Sequence, residues 1–324
     1  GVKFISVMDI LNNQFIYYDN IRASVEIADG DLDTYGVKYG DILFQRSSET
    51  LEDVGQANVY LDSKPAVFGG FVIRGKSKGN YNPLFFRYLL TSPTVRKRVI
   101  VKGAGAQHFN IGQDGLSKVC IDIPCIKEQE KIARLLALLD ERIATQNKII
   151  DKLQSLIKGL RNKIFGKLRK NVGFNAMIGD VLGYEQPQSY IVEDTEYVDE
   201  GTPVLTANKA FVLGYTSETE GIYDKGDCII FDDFTLDCKY VDFPFKVKSS
   251  AIKILTAENK ELLRYTFEFL KYLDLSTDEH KRHYIAETQN QEFILPTTQI
   301  VRTISHTFSV LSLRMETVIK QRLL

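Results

Sequence analysis

Apolar residues in the middle of the chain recur at alternating steps of four and three, in a stripe that runs from Ile132 to Ile164. The positions of the stripe are Ile132, Leu136, Leu139, Ile143, Ile150, Leu153, Ile157, Leu160 and Ile164, interrupted by polar Gln146. A four-three spacing held over this many heptads predicts the helix of a coiled coil. Pro124 precedes the stripe and marks the helix start, so we expect a helix of about 40 residues, roughly 60 Å long.

A shorter stripe with the same rhythm follows Pro296. Its members are Ile304, Phe308, Leu311, Met315 and Val318. Aligning Pro296 with Pro124 brings the two stripes into the same phase. Because a globular segment returns the chain between the stripes, we expect the two helices to pair antiparallel within one molecule. A homo-oligomeric coiled coil is the alternative use of the same apolar faces.

The segments in front of the two helices repeat each other as well. GVKFISVMDI at Gly1 resembles GTPVLTANKA at Gly201, and KYGDILFQRS at Lys38 resembles DKGDCIIFDD at Asp224. Short β-rich runs, Gly-Asp turns and an amphipathic helix in each copy predict mixed units. We therefore predict an α+β fold with two similar globular domains, separated by two long antiparallel coiled-coil helices in a pseudo-twofold internal repeat. The predicted segments are 1–124 (first domain), 125–170 (first long helix), 171–295 (second domain) and 296–324 (second long helix).

The bulk composition is that of a folded protein without an overall electrostatic preference. Hydrophobic residues are 44% and charged residues 26%, with a formal net charge of −1, so any nucleic-acid surface must be local. Four cysteines without CxxC spacing disfavour a zinc site, and no apolar run reaches the ~20 residues of a membrane span. The first copy has no counterpart of residues 171–200 and begins inside a strand-like run, so we expect its N-terminal portion to be incomplete.

A pair of acidic residues suggests one catalytic alternative. Asp232 and Asp233 stand together in FDDFTLDCK, and clustered aspartates are typical ligands of Mg²⁺. The matching stretch of the first copy reads Gln45, Arg46 and Ser47, which would not replace a catalytic carboxylate cluster. We therefore predict no catalytic and no metal-ligating residues, and we keep a metal-dependent nuclease built on Asp232 and Asp233 as the alternative.

Side chains suited to DNA recognition are concentrated in loops of both copies. Gln and Arg pair with adenine and guanine edges, acids accept from base amino groups, and Lys reaches phosphates. The candidates in the first copy are Gln45, Arg46, Ser47, Ser48, Glu49, Lys102, Gln107 and Asn110. Those in the second copy are Asp233, Thr235, Lys239, Lys248, Ser249, Lys281 and His283. Because the same kind of loop recurs, we predict that both copies read DNA; a coiled-coil scaffold without DNA contact is the other alternative.

Several long stretches resemble a known family. EQEKIARLLALLDERIATQNKIIDKLQSLIKGL is similar to the central conserved region of the DNA-specificity (S) subunit of type I restriction-modification systems. YEQPQSYIV, TPVLTANKAFVLGY and FDDFTLDCKYVDFPFKVKSSAIKIL resemble one type of target-recognition domain in that family. KYGDILFQRSSE, AVFGGFVIRG and GAGAQHFNIGQDGL resemble a second type. The matching stretches add Gln186, Tyr190, Asn208 and Lys209 to the candidate DNA-binding residues.

The resemblance implies a non-catalytic, cytoplasmic subunit. Its two target-recognition domains would each read one half of a bipartite, asymmetric target in double-stranded DNA through the major groove. Its helices would form the spacer and dock two methyltransferase (M) subunits, which supply S-adenosylmethionine chemistry on adenine. Restriction (R) subunits, translocating with ATP and Mg²⁺, would complete the enzyme. No cofactor is expected in this chain itself, and no membrane partner.

Overall fold

The computed structural model describes residues 1–105, 107–208, 210–277 and 281–323. The chain forms two compact units, Gly1–Arg142 and Ile143–Leu324. None of the helices in the described ranges is both long and apolar enough to cross a membrane.

The first unit mixes short strands with short helices. Its strands are β1 (Val2–Ile5), β2 (Ala23–Val25), β3 (Gly36–Val37), β4 (Ile42–Gln45), β5 (Ser47–Ser48), β6 (Ala57–Val59), β7 (Ala66–Phe68), β8 (Val72–Gly75) and β9 (Phe109–Asn110). Its helices are α1 (Val7–Asn12), α2 (Asp31–Tyr35), α3 (Pro83–Thr91), α4 (Pro93–Ile100) and α5 (Gln113–Ser117). The helix α6 (Ile126–Asn171) follows and continues into the second unit.

The second unit has the same mixture of elements. Its strands are β10 (Ala176–Met177), β11 (Gly183–Glu185), β12 (Thr202–Leu205), β13 (Val212–Thr216), β14 (Cys228–Asp232), β15 (Cys238–Val241), β16 (Lys246–Val247), β17 (Ile252–Thr256) and β18 (Glu292–Phe293). Its helices are α7 (Ile178–Val181), α8 (Lys260–Leu273) and α9 (Thr298–Leu323).

The two units share one sheet plan. In the first, β1 pairs antiparallel with β2 and parallel with β7, while β4 lies between β6 and β8. In the second, β12 pairs antiparallel with β13 and parallel with β16, while β14 lies between β15 and β17. The Gly-Asp turns before β4 and β14 match too, since Gly40 and Gly226 both have positive φ, 87° and 92°. The predicted α+β internal repeat is therefore confirmed.

Polar side chains attach the start of α6 to the first unit. The Gln129 side chain, 2% exposed, donates to the carbonyl of Pro124 at 2.8 Å and accepts from the amide of Asn82 at 2.9 Å. Three turns further on, the Tyr88 hydroxyl donates to Asp140 at 2.6 Å. Because Asn82 caps α3 by accepting from Phe85, these bonds fix α6 to the start of α3 as well.

Helices α6 and α9 run antiparallel in the second unit. The Arg161 guanidinium lies 5.7 Å from the centre of the Phe308 ring, and Arg322 donates to Asn147 at 3.1 Å. Residue numbers fall along α6 as they rise along α9, which is the antiparallel pairing predicted from the stripes. The predicted stripe is covered there, with Ile157 of α6 buried in the same cluster as Ile304 and Phe308.

The early part of the predicted stripe behaves differently. Ile132, Leu139 and Ile143 are 40–47% exposed, whereas Ile150 is 8% exposed. The heptad pattern therefore identified the helix correctly. Among the described residues, only the later half of the apolar stripe is buried. The helix is also longer than expected, at 46 residues.

A buried ionic cluster joins α6, α8 and α9. Glu268, 1% exposed, accepts from Arg161 at 2.7 Å and from Arg264 at 2.8 Å. Arg264 also donates to the carbonyl of Phe308 at 3.2 Å and to the Ser312 hydroxyl. Since charges are stable in an apolar core only when paired, this cluster restricts the three helices to one register.

We expect Glu268→Ala to lower the free energy of unfolding by about 3–5 kcal/mol, because it leaves two arginines buried without a counter-charge. Chemical denaturation followed by far-ultraviolet circular dichroism measures the loss. The matched control is Glu130→Ala on the exposed face of α6, which should stay within about 0.5 kcal/mol of the wild type. Equal stability of the two variants would contradict the role of the cluster.

Candidate nucleic-acid interface

The loop after β14 is shaped by its first acid. Asp232 accepts the amides of Phe234 and Thr235 through one carboxylate oxygen, both at 2.9 Å. The Asp232 carbonyl also accepts from Leu236, whose φ is 62°, a left-handed conformation that closes the turn before β15. The carboxylate predicted as a possible metal ligand is thus the cap of a tight hairpin.

The second acid, Asp233, ties three segments together. Its side chain is 1% exposed, and one oxygen accepts the amides of His283 and Tyr284 at 3.0 and 2.7 Å. Its own amide donates to the carbonyl of Ala251 at 2.9 Å. The hairpin loop, the turn before β17 and the segment after α8 therefore meet at one buried carboxylate.

A buried lysine balances the charge of Asp233. Lys253, on β17, is 1% exposed and lies 3.4 Å from the second Asp233 oxygen. Its ammonium group also donates to the side-chain oxygen of Gln186 at 2.8 Å. This buried pair fixes the backbone of the loops, while other side chains of the same loops point outward.

The outward side chains at this loop end are aromatic, basic and hydroxyl-bearing. The Arg282 guanidinium lies 5.9 Å from the centre of the Phe234 ring and donates to the Ser250 hydroxyl at 3.4 Å. Thr235, Lys248 and Ser249 are exposed beside them. We refer to this set as the second reading loops: residues 232–237, 248–251 and 281–284. Such side chains can contact base edges and phosphates in a DNA groove.

The first unit has an equivalent arrangement with different residues. Ser47 pairs with Asn110 between β5 and β9, and the two side chains are hydrogen bonded. The Arg46 amide donates to the carbonyl of Phe71 at 2.9 Å, and the Arg46 carbonyl accepts from Ile111 at 2.9 Å. We call residues 45–49, 69–71 and 107–111 the first reading loops. In both units the loop after the central strand is therefore bonded to the segment that follows the helices.

Five of the predicted DNA contacts form hydrogen bonds or ion pairs within the protein. Gln45, 5% exposed, donates to the carbonyl of Ser47 at 2.8 Å. The Asp233 carboxylate is engaged by two backbone amides and by Lys253. His283 is 2% exposed, with its ring 2.9 Å from Glu287. Tyr190, 7% exposed, donates to Glu185 at 2.7 Å, and the side-chain oxygen of Gln186 is taken by Lys253. Four of these side chains are buried, whereas Gln186 is exposed with its side-chain oxygen engaged. Their bonds within the protein stabilise the loops.

The other predicted contacts lie at or near the surface. Arg46, Glu49, Lys102, Gln107, Asn110, Thr235, Lys248 and Ser249 are exposed, and Ser47, Ser48, Asn208 and Lys239 are partly buried. Lys281 is exposed but pairs with Glu287 at 2.9 Å. Hydrogen bonds from Lys281 and then His283 hold the pKa of Glu287 below its usual range. Lys209 lies outside the described residues.

Phe71, Phe234 and Arg282 are residues of the loops that the sequence analysis did not predict. Phe71 is 72% exposed beside Arg46, and Phe234 is 36% exposed beneath Arg282. The signal for Phe71 was present, since GGF places a bulky apolar residue between two glycines and a buried strand. Apolar side chains can contact the methyl group of thymine in the major groove, so these rings fit a DNA-reading surface.

The acids do not assemble into a metal centre. Within the described ranges, no three His, Cys, Asp or Glu side chains converge as a cation site. Asp232 caps the hairpin and Asp233 pairs with Lys253, so the carboxylates on which the nuclease alternative depends are already engaged.

Comparison with known proteins agrees with this geometry. Residues 1–155 match the family model described as the type I restriction modification DNA specificity domain. This part of the chain is similar to that family, which supports the resemblance found in the sequence. The chain is 46% identical over 126 residues to the EcoR124I/EcoR124II specificity subunit of Escherichia coli, covering 37% of this chain and 31% of that protein.

Two further similarities extend the comparison. A putative MjaX specificity subunit of Methanocaldococcus jannaschii is 30% identical over 152 residues, which are 44% of this chain and 34% of that protein. The aligned segments thus span about a third of either relative. The crystal structure of the type I restriction-modification S subunit from M. genitalium superposes with a TM-score of 0.62 at 15% identity, covering 99% of this chain and 88% of that one. The shared fold therefore extends through both units.

Replacing Asp233 by Ala should lower the free energy of unfolding by about 3–5 kcal/mol, because Lys253 would be left buried without its partner. Denaturant titration of the purified variant measures this loss. The control is Asp237→Ala in the same hairpin, whose exposed side chain predicts a change within about 0.5 kcal/mol. If Asp233→Ala were as stable as Asp237→Ala, the buried carboxylate would not hold the loops.

Proposed function

We propose that this chain is the DNA-specificity subunit of a type I restriction-modification system and that it is not itself a catalyst. Its two units would each read one half of a bipartite, asymmetric target in the major groove. One observation carries the proposal: the same framework presents different outward side chains in its two copies, around Arg46 and Phe71 in one and around Thr235 and Arg282 in the other.

The chemistry of the loops supports direct reading of base edges. Arg46 can donate twice to guanine, and Gln107 can pair with adenine. Thr235 and Ser249 offer hydroxyl groups that both donate and accept. Since each set stands on bonded loop backbone, little conformational freedom is lost on binding. Two sets that differ in side chains would give two unrelated half-targets.

The long helices are the proposed docking surface for the enzyme's other subunits. Leu135, Leu138 and Leu139 of α6 are 45–59% exposed, and Leu313 of α9 is 65% exposed. An apolar helix face of this kind fits packing against helices of two methyltransferase (M) subunits. S-adenosylmethionine would bind to those subunits, and ATP and Mg²⁺ to the restriction (R) subunits that join them, in the cytoplasm.

Exchange of one unit tests the proposal. Residues 171–295 are replaced by the corresponding segment of a specificity subunit with another target, and methylated sites are sequenced strand by strand in cells that carry the hybrid. We expect one half of the methylated motif to change and the other half to stay, because each unit makes its own loop contacts. A reciprocal hybrid that replaces residues 1–124 should change the opposite half.

Two results would contradict the proposal. If both halves changed in either hybrid, the units would not read separately. If folded hybrids that still bind their methyltransferase left the motif unaltered, the reading loops would not be the site of recognition, and a scaffold without DNA contact would describe the chain better.

A further inference from the structure

The neighbouring strands β4 and β8 of the first unit have one end at the first reading loops and the other end at an open concavity. β4 runs from Asp41 towards the first reading loops, and its neighbour β8 runs back from Phe71 towards Lys76. At this far end lies an open concavity of about 730 Å³. Its polar lining is Asp33, Lys38, Tyr39, Asp41, Arg74, Lys76, Ser77 and Lys78. Along β4, Asp41 is four residue steps from Gln45 at the start of the reading loops, roughly 13 Å at 3.3 Å per residue.

A buried carboxylate fixes both walls of this concavity. Asp41 is 3% exposed and accepts the amide of Lys38 at 3.0 Å with one oxygen. Its other oxygen accepts the amide of Ser77 at 2.8 Å. The turn at Lys38 and the loop at Ser77 are thereby held together, and the Asp41 carboxylate is withdrawn from solvent. The protein's own hydrogen bonds therefore hold both walls in place.

The positive charges on these walls outnumber the negative ones. Lys38, Lys76 and Lys78 are exposed, and across the described ranges none of them forms a salt bridge. Arg74 donates to the carbonyls of Gly36 and Thr34, which carry no formal charge. Four cations thus face two carboxylates, Asp33 and the enclosed Asp41, in a chain whose net charge is −1.

The fold does not require this charge, as the second unit demonstrates. There the same end of the central strand carries Asp224 where the first unit has Lys38. Lys225 is paired with Glu185 at 2.8 Å, and Asp227 is paired with Lys260 at 2.8 Å. The equivalent end of the repeat is thus acidic and internally paired. The unpaired lysines are an added feature of the first unit.

We propose that this concavity, which we call the lysine concavity, binds phosphate groups of the DNA backbone outside the base pairs that the first reading loops contact. Lysine ammonium groups are point charges that suit phosphates. Such contacts add affinity without sequence preference. The proposal rests on DNA binding by the chain and goes beyond it, because it assigns a second contact surface to one unit only.

The test compares two triple variants of the full chain. One variant replaces Lys38, Lys76 and Lys78 by Gln. The control makes the same replacement at Lys118, Lys127 and Lys131, three exposed lysines of the same unit. Binding to a fluorescent duplex of about 40 base pairs that lacks the target is measured by anisotropy across a salt series, from about 50 to 200 mM. Because each phosphate contact contributes about 0.9 to the slope of log K against log salt, the first variant should flatten the slope by about two to three.

The control removes the same net charge from the unit, so it corrects for long-range attraction. It should leave the slope within about one of the wild type. Target preference, measured on specific against scrambled duplexes, should persist in both variants. Circular dichroism confirms that both remain folded.

Three outcomes overturn the proposal. Equal slopes for the two variants, with DNA binding retained, would remove the lysine concavity from the DNA interface and leave the proposed function intact. Loss of methyltransferase binding by the first variant, without a change in slope, would assign the surface to a protein partner. A wild-type chain that bound no duplex even at low salt would overturn this proposal and the proposed function together.

Discussion

The proposed reading surface depends on one constraint: the loop that follows the central strand is bonded to the segment that follows the helices. In the second unit a single buried carboxylate, Asp233, supplies this constraint by accepting two backbone amides and pairing with Lys253. In the first unit, a strand pair between Ser47 and Asn110 performs the same task. A loop anchored in this way presents its outward side chains in a defined geometry, which direct contacts with base edges require.

The same constraint separates what is constant in the repeat from what varies. The sheet plan and the Gly-Asp turns agree between the two units, and the outward residues do not. Helix α8 of the second unit is in turn fixed to α6 and α9 by Glu268 and its two arginines. The proposed recognition surface is therefore attached to a long helix through buried, charge-paired contacts that do not involve its loops.

Much of the architecture could be predicted because it rests on periodic or repeated patterns. The four-three stripe identified α6, and the matched segments at Gly1 and Gly201 identified the repeated strands. The candidate site was predicted less well, since a polar residue in a loop looks the same in sequence whether its partner is DNA or its own backbone. Asp233 finds its partners 50 and 51 residues along the chain, a distance at which no local pattern operates.

For the apolar residues of the loops, the sequence did not reveal which side chains are exposed. Phe71 was not among the predicted contacts, because an aromatic residue next to Val72 and Ile73 continues an apolar run. Only the fold reveals that its ring points into solvent beside Arg46. Exposure is set by which neighbours reach a position, and those neighbours come from distant parts of the chain.

The central claim is that two copies of one framework read two separate short sequences. Selection from a random duplex library, using the chain assembled with its methyltransferase subunits, measures this directly. The account predicts two specified segments separated by base pairs of no preference, and it predicts that Arg46→Ala combined with Phe71→Ala alters only one of them. A single continuous motif, or a double variant that changes both segments, would contradict it.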